Sequence, residues 1–163
     1  MMKTLIIYKS VHKMNTAKIA EVMALVMNAD IAKVEDVRPE VLAKYDLIGF
    51  GSGIYASKLH KKIFKFIRKM LRTDKKVFIF CTSGSGEFKK KELITEMLTL
   101  KGCTIIGEFY CPGEFSPFGF NMDKKGHPDE NDLERARVFA KILLENRQEP
   151  LRSATMEDKQ HKK

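Results

Sequence analysis

The residues Thr4-Leu5-Ile6-Ile7-Tyr8-Lys9-Ser10-Val11-His12-Lys13-Met14-Asn15-Thr16 begin as an apolar run and end in hydroxyl- and amide-bearing side chains. A helical pattern of apolar residues follows over residues 17–27. This order predicts a strand, a polar loop and the start of a helix. The first turn of a helix has backbone N–H groups without intrahelical partners, and the helix dipole adds partial positive charge there. The stretch therefore predicts an anion site of the kind that binds phosphate.

The same loop has a simpler interpretation. Asn15 or Thr16 is a suitable residue for an ordinary N-cap, in which its side chain closes the start of the helix. The loop alone does not decide between a cap and a phosphate site. The decision depends on what the rest of the chain brings to the same edge of the fold.

Length and composition indicate one globular domain. The chain has 163 residues, of which 44% are hydrophobic and 31% charged. We expect a domain over residues 1–147 and a polar, basic tail without fixed structure over residues 148–163. Three cysteines without a CxxC spacing predict reduced, buried thiols. No apolar run is long enough for a membrane span, so a cytoplasmic location is the default expectation.

The net charge of +9 favours a negatively charged partner, which leaves three classes open: an acidic protein, a nucleic acid or an anionic membrane. Much of this charge lies between residues 58 and 76, where Asp74 is the single acidic residue. No aromatic residues alternate with these cations as a single-strand binding surface needs, and we expect no nucleic-acid partner. The composition does not predict an oligomeric state. The cations of this segment are Lys58, Lys61, Lys62, Lys65, Arg68, Lys69, Arg72, Lys75 and Lys76.

Strand-like and helix-like segments alternate along the chain, which is typical of an α/β fold with a parallel sheet. We predict a three-layer, doubly wound, five-stranded parallel sheet. The predicted strands are residues 3–8, 29–34, 46–51, 76–81 and 104–110. The predicted helices are residues 15–28, 59–71 and 89–100, and a last helix that starts at Asn131 or Asp132 and ends near Asn146. A Gly- and Pro-rich stretch over residues 111–131 is a candidate functional loop.

Three predicted loops follow strands at the carboxyl edge of this sheet, where such folds bind ligands. They are residues 10–16, 52–58 and 82–88. The second begins Gly51-Ser52-Gly53-Ile54-Tyr55-Ala56 and matches a dinucleotide-binding pattern, but no acidic residue ends the next strand. Its glycines predict either a tight turn or the close approach of a flat ring, on which Tyr55 would stack.

Several other sites are excluded by single residues. Cys81 precedes a Gly/Ser loop as a phosphatase nucleophile would, but Glu87 occupies the position of the required arginine, so Cys81 is predicted to be a core thiol. No Walker lysine and no cluster with metal-ligand spacing is present. His12 is the histidine of the predicted site, whereas His60 and His127 are predicted to lie on the surface.

Taken together, the three loops resemble the FMN-binding loops of flavodoxins, and Gly126-His127-Pro128 with Asp132-Leu133 is similar to a pattern before their last helix. The resemblance covers about residues 3–146. It implies a sheet ordered 2-1-3-4-5 and non-covalently bound FMN. The phosphate would contact Ser10, His12, Lys13, Met14, Asn15 and Thr16. The isoalloxazine ring would lie against Ser52, Gly53, Ile54 and Tyr55, and its pyrimidine edge against Thr82, Ser83, Gly84, Ser85 and Gly86.

The function that this resemblance implies is electron transfer with a redox partner protein. Two alternatives stay open: an FMN-dependent NAD(P)H:quinone-type reductase, and a flavodoxin fold without FMN that acts as a protein-interaction module. Flavodoxin shuttles are typically acidic, so a basic one would need an acidic partner. The family also usually has glycine before Asn-Thr in the first loop. Met14 in that position predicts either crowding of the phosphate or a different backbone geometry.

Overall fold

The computed structural model describes residues 2–11, 14–84, 88–113 and 126–146. Helices and strands alternate as the sequence predicts. The strands are β1 (Thr4–Lys9), β2 (Asp30–Lys33), β3 (Leu47–Tyr55), β4 (Lys58–Leu59), β5 (Lys76–Ser83) and β6 (Thr104–Pro112). The helices are α1 (Asn15–Met27), α2 (Lys61–Lys69), α3 (Glu92–Leu100) and α4 (Glu130–Glu145), with short 3₁₀ segments at Val34–Asp36 and Pro39–Lys44.

The sheet has the order β2-β1-β3-β5-β6, and these five strands are parallel. This confirms the predicted doubly wound, flavodoxin-like sheet, with β5 and β6 as its fourth and fifth strands. Side chains alternate between the two faces of the central strands. Val77 and Ile79 pack on the side of α2 and α3, whereas Phe78 and Phe80 pack on the side of α1 and α4.

Two glycines of β3 give these phenylalanines their space. A Cβ atom at Gly49 would lie 2.3 Å from Phe78 Cζ, and one at Gly51 would lie 2.1 Å from Phe80 Cζ. Gly51 thus admits a ring of the protein's own core, which explains this glycine without a ligand. A side chain there would force the packed ring to move.

The second predicted loop is largely regular structure. Strand β3 continues to Tyr55, and β4 pairs back on it antiparallel through Tyr55 and Lys58. The two residues between them, Ala56 and Ser57, have φ of 49° and 65°. A two-residue hairpin loop with both φ values positive has the twist that matches the strands, but it is normally built from Asn and Gly. The prediction of a loop over residues 52–58 was therefore wrong, because most of these residues belong to β3 and β4. The sequence Ala-Ser gave no indication of the tight turn between them.

Helix α4 begins earlier than predicted. Its N-cap is Asp129, not Asn131 or Asp132, and the side chain of Asp129 accepts the N–H of Asp132 at 2.9 Å. Asp132 returns the bond by accepting the N–H of Asp129, also at 2.9 Å. His127, predicted on the surface, is partly buried, and its Nδ1 lies 2.6 Å from Asp132 Oδ2. Reciprocal bonds of this kind form a capping box.

Two predicted segments of the C-terminal part of the chain lie wholly or mostly outside the described residues. Most of the Gly- and Pro-rich stretch, residues 114–125, and the predicted tail lie outside the described residues. The division into a domain over residues 1–147 and a tail stays a prediction. No helix in the described part of the chain has the length and apolar character that crossing a membrane requires.

Candidate functional site

A cleft lies where β1, β3, β5 and β6 end, at the carboxyl edge of the sheet. Its empty space is about 410 Å³, including the part open to solvent. All three predicted segments contribute to it, together with the end of β6. The lining residues are Ser10, Val11, Asn15, Thr16, Gly53, Ile54, Tyr55, Thr82, Ser83, Gly84 and Gly113.

The start of α1 is not an ordinary N-cap. The cap position is Met14, and it makes no side-chain capping bond, while Asn15 and Thr16 already belong to the helix. The cap interpretation of Asn15 or Thr16 is therefore wrong. Met14 has φ 55° and ψ 29°, the left-handed conformation that glycine adopts freely and other residues adopt at a cost of about 1–2 kcal/mol.

The side chain of Met14 does not crowd the cleft. It is 46% exposed and is absent from the lining of the cleft. The chain therefore keeps the backbone geometry of a glycine at this position and directs the longer side chain outward. Glycine adopts this left-handed conformation freely, and the effect of Met14 on a bound phosphate stays a prediction.

The first turn of α1 presents polar groups to the cleft. The first intrahelical hydrogen bond runs from the Lys18 N–H to the Met14 carbonyl at 3.0 Å, and Ser10 Oγ accepts the Ala17 N–H at 3.3 Å. Asn15 and Thr16 are 7% and 1% exposed. Polar side chains this deeply buried at a helix start add donors to the positive end of the helix dipole.

A hydrogen bond joins the first and third segments. Thr16 Oγ1 and Thr82 Oγ1 are 2.9 Å apart, and both residues are buried. Ser83 and Gly84 extend the same wall. Ser85 and Gly86 of the third predicted loop, and His12 and Lys13 of the first, lie outside the described residues.

Gly113 lines the cleft but was not among the predicted site residues. Its N–H donates to the Ser83 carbonyl at 2.9 Å. A Cβ atom there would lie 2.9 Å from Asn15 Nδ2 and 3.2 Å from Thr82 Cβ. The absence of a side chain thus leaves room between β6 and the start of α1. The sequence signal was present, since Gly113 lies in the Gly- and Pro-rich stretch that was predicted to be a functional loop.

The second segment contributes backbone and one ring. Gly53, Ile54 and Tyr55 line the cleft. Ser52, a predicted site residue, is fully buried instead: its hydroxyl accepts the His60 N–H at 2.9 Å and donates to the Gly53 carbonyl at 2.6 Å. Ser52 therefore joins the end of β3 to the start of α2.

His60, predicted to lie on the surface, is partly exposed and also has a structural role. Its Nδ1 accepts the Lys62 N–H at 3.1 Å and caps α2. Its ring meets Tyr55 edge-on, with the ring centres 5.3 Å apart. Burial lowers the pKa of His60, and the charges of Lys9 and Lys62 lower it further. A neutral imidazole at this position supports the orientation of Tyr55.

Cations beside the first segment are partly neutralised by Glu35. This carboxylate pairs with Lys9 at the end of β1 and with Lys62, whose Nζ is 3.0 Å away. Partial burial acts to raise the pKa of Glu35, but the hydrogen bonds from Lys9 and Lys62 outweigh it and bring the pKa to about 2. Glu35 therefore stays ionised at neutral pH and ties the end of β1 to α2.

Cys81 lies in the core between the sheet and α2, and burial raises the pKa of its thiol well above the ordinary value. The reactive form of cysteine is the thiolate, so this residue is not poised as a nucleophile. The structure agrees with the prediction of a core thiol. Burial likewise raises the pKa of Cys111 to about 12.

One cluster was not expected from the spacing of residues. Ligand atoms of His127, Asp129 and Asp132 lie within 4.8 Å of one another. All three already take part in the capping box and its bond to His127, which accounts for their proximity. We therefore assign this cluster to the start of α4.

The comparison with protein families places these features in context. The model of the flavodoxin domain matches residues 5–105. The uncharacterized protein MJ0298 of Methanocaldococcus jannaschii is 48% identical over 152 residues, which cover 89% of this chain and 100% of that protein.

Solved structures share the fold. A flavodoxin from the domain Archaea has a TM-score of 0.67 and 20% identity, with 88% of this chain and 97% of that chain covered. Oxidised flavodoxin 2 from Bacillus cereus has a TM-score of 0.66 and 24% identity, with 88% and 98% covered. The match of the family model to most of the chain, together with the cleft at the expected edge of the sheet, shows that the chain belongs to the flavodoxin domain family.

Proposed function

We propose that this chain binds FMN non-covalently in the cleft and transfers electrons to or from a partner protein. The observation that carries the proposal is the meeting of the first turn of α1 with the ends of β3, β5 and β6. FMN when bound would supply one- and two-electron redox chemistry. The protein's own residues would bind, orient and partly shield it.

The donors in the cleft fit a phosphate group. Asn15 and Thr16 offer buried amide and hydroxyl donors at the positive end of α1, and Ser10 lies beside them. The left-handed backbone of Met14 keeps this turn in the geometry that glycine would give it. Ser10, Met14, Asn15 and Thr16, with His12 and Lys13, are the proposed phosphate site.

The other two segments fit a flat ring. One wall of the cleft is formed by Gly53, Ile54 and Tyr55, and another by Thr82, Ser83 and Gly84. Gly113 has no side chain that would crowd this second wall. We assign the first wall, with the backbone at Ser52, to one face of the isoalloxazine ring. The second wall, with Ser85 and Gly86, is assigned to its pyrimidine edge.

The proposed partner is an acidic redox protein. The outer face of α2 presents Lys61, Lys65, Arg68 and Lys69 to solvent. This face starts beside Tyr55 and the cleft, so a partner held there would be near the flavin. Electrostatic attraction of this kind raises association rates and weakens with salt.

The test is FMN binding by the full chain and by a variant with Asn15→Ala and Thr16→Ala. Loss of two hydrogen bonds to a charged phosphate predicts an increase of about 100-fold in the dissociation constant. The control is Asn28→Ala with Thr4→Ala, the same changes at the other end of α1 and β1. Fluorescence quenching of FMN measures both.

The outcomes separate the alternatives. If the unmodified chain does not quench FMN fluorescence, both redox functions are wrong and the protein-interaction module is favoured. If it binds FMN and then oxidises NAD(P)H with a quinone in repeated turnover, the reductase replaces the shuttle. Equal affinity of the Asn15/Thr16 variant and its control would mean that the phosphate site is elsewhere.

A further inference from the structure

A second cavity lies next to the cleft, on the other side of Tyr55. We name it the α2 cavity, and it is formed between the β3–β4 hairpin, α2 and the start of α3. Its empty space is about 740 Å³, compared with about 410 Å³ for the cleft, in each case including the part open to solvent. Tyr55 lines both. Nothing in the proposed FMN site uses this space.

Its charged wall is positive. Lys58 on β4 and Lys61 and Arg68 on α2 line the α2 cavity and are exposed. Among the described lining residues there is no carboxylate. Lys62 differs from these three because it is paired with Glu35, whereas the side chains of Lys58, Lys61 and Arg68 have no acidic partner in the described part of the chain.

Its remaining wall is apolar and partly aromatic. Phe64 is buried beneath the cavity, Leu93 reaches it from α3 with 39% of its surface exposed, and the ring of Tyr55 closes the end beside the cleft. An apolar floor with a few polar groups at its margin is the usual composition of a small-molecule site. The floor favours a flat hydrocarbon ring, and the margin favours negative charge.

The cations are spread along the cavity. Lys61 and Arg68 are seven residues apart, which is about 10 Å along a helix axis. A molecule with an acid group at each end can pair with both cations while each of their side chains stays extended over its own turn of the helix. The guanidinium of Arg68 also presents paired donors that suit an oxyacid.

We infer that the α2 cavity binds a small aromatic dianion, with one acid group near Lys58 and Lys61, the ring over Phe64 and Leu93, and the second acid group at Arg68. Because Tyr55 is shared with the cleft, such a ligand would lie one side chain from bound FMN. The site itself does not require FMN. Its role as a donor or acceptor site for the flavin rests on the proposed function.

The probe is naphthalene-2,6-disulfonate, titrated calorimetrically into the full chain with and without FMN. Its comparison compounds are naphthalene-2-sulfonate, with one charge, and the uncharged naphthalene-2-sulfonamide. We expect the dianion to bind about tenfold more tightly than the monoanion. Equal affinity for the uncharged compound would overturn the role of the cations.

The matched variants are Lys61→Gln and Arg68→Gln against Lys65→Gln and Lys69→Gln, which remove the same charges from α2 outside the cavity. The first two should each weaken the dianion by about tenfold, and the second two should change its affinity less than twofold. Equal losses in all four would show a diffuse field and overturn the site.

Two further outcomes are decisive. Binding of poly-L-glutamate without binding of the disulfonate would leave this surface only its proposed role of docking an acidic partner protein and would overturn the small-molecule site. The variant with Asn15→Ala and Thr16→Ala distinguishes this proposal from the FMN site. It should bind the disulfonate normally even where it has lost FMN, and loss of both would contradict an independent α2 cavity.

Discussion

Two helices on the same face of the sheet, α1 and α4, begin in opposite ways. At α4, the side chains of Asp129 and Asp132 each accept the other residue's backbone N–H, and His127 also bonds to the carboxylate of Asp132. At α1, Met14 occupies the cap position without any side-chain capping bond, and no acidic residue lies in the first turn. Ser10 accepts the N–H of Ala17 from outside the helix.

The difference separates a structural helix start from one arranged for a ligand. The start of α4 is complete within the protein, whereas the start of α1 faces a cleft with its donors and its partial positive charge. Left-handed residues support the same division. Met14, Ala56 and Ser57 hold this strained conformation beside the cleft, and non-glycine residues in such conformations cluster at functional sites.

The largest expected effect on stability comes from disrupting the capping box at the start of α4. Asp132→Ala removes the acceptor for the Asp129 N–H and for His127 in a buried setting, so we expect a loss of about 3 kcal/mol in the free energy of unfolding. Urea denaturation measures it. The control is Glu134→Ala, an exposed partner of Arg137, which should cost less than about 1 kcal/mol. FMN affinity should not change, and a parallel loss of affinity would show that the two helix ends are not independent.

Binding of FMN at the start of α1 should have the next largest effect on stability. FMN at 100 times its dissociation constant should raise the free energy of unfolding by about 2.7 kcal/mol, because it binds only the folded chain. The same increment is expected in the Asp132→Ala variant. At the same FMN concentration it should fall to about 0.4 kcal/mol when Asn15 and Thr16 are alanine, because a 100-fold higher dissociation constant leaves that variant only half-saturated. An unchanged melting temperature of the unmodified chain with FMN would contradict the comparison of the two helix starts.

Relieving the backbone strain of Met14, at the start of α1, should have a smaller effect on stability. Met14→Gly keeps the left-handed backbone and loses only an exposed side chain, so we expect a gain of about 1 kcal/mol in stability. Asn28 is left-handed as well, at the other end of α1, but Asn tolerates this conformation. Asn28→Gly should therefore gain only a few tenths of a kcal/mol. Equal gains at both positions, measured by thermal unfolding, would show that Met14 is not unusually strained.

Most of the fold follows from patterns that are visible in the sequence. Alternating apolar runs and helical periodicity predict the parallel sheet and its order, because each strand must be covered on both faces. Meeting of the three loop segments at one edge follows from the same topology. The sequence therefore predicts that Asn15, Thr16, Thr82 and Tyr55 lie together, and the cleft contains all four.

The features that the sequence did not predict are those where the backbone takes a conformation that its residues do not usually favour, or where tertiary packing makes the choice. Ala56 and Ser57 form a hairpin turn that normally contains Asn and Gly, so the extension of β3 gave no signal. Asp129, Asn131 and Asp132 are all suitable N-caps, and the choice of Asp129 depends on how the chain enters from His127. The α2 cavity is lined by Phe64 of α2 and Leu93 of α3, and the pattern of apolar residues within one helix cannot predict that two helices meet at this point.

The smallest effect concerns pH and separates the two helix starts by charge. The N–H of Asp132 donates to Asp129 and lowers the pKa of this carboxyl below its ordinary 3.8, and His127 acts in the same direction. Because the pKa is lowered in the folded chain, the charge of Asp129 stabilises above the ordinary pKa and ceases to do so as the pH falls through the lowered value. Asp129→Asn still caps α4 but does not titrate.

We therefore expect the unmodified chain to exceed Asp129→Asn in melting temperature at pH 6, and the gap to narrow by pH 3. Glu35→Gln is a second comparison: because the pKa of Glu35 is lowered from 4.5 to about 2, its contribution declines below pH 4.5 and is lost as the pH falls through about 2. The start of α1 without FMN has no acidic residue in its first turn, so it does not contribute to the pH dependence of stability in this way. A gap between the unmodified chain and Asp129→Asn that stays constant from pH 6 to pH 3 would mean that the capping box stabilises α4 through hydrogen bonds alone, without its charge.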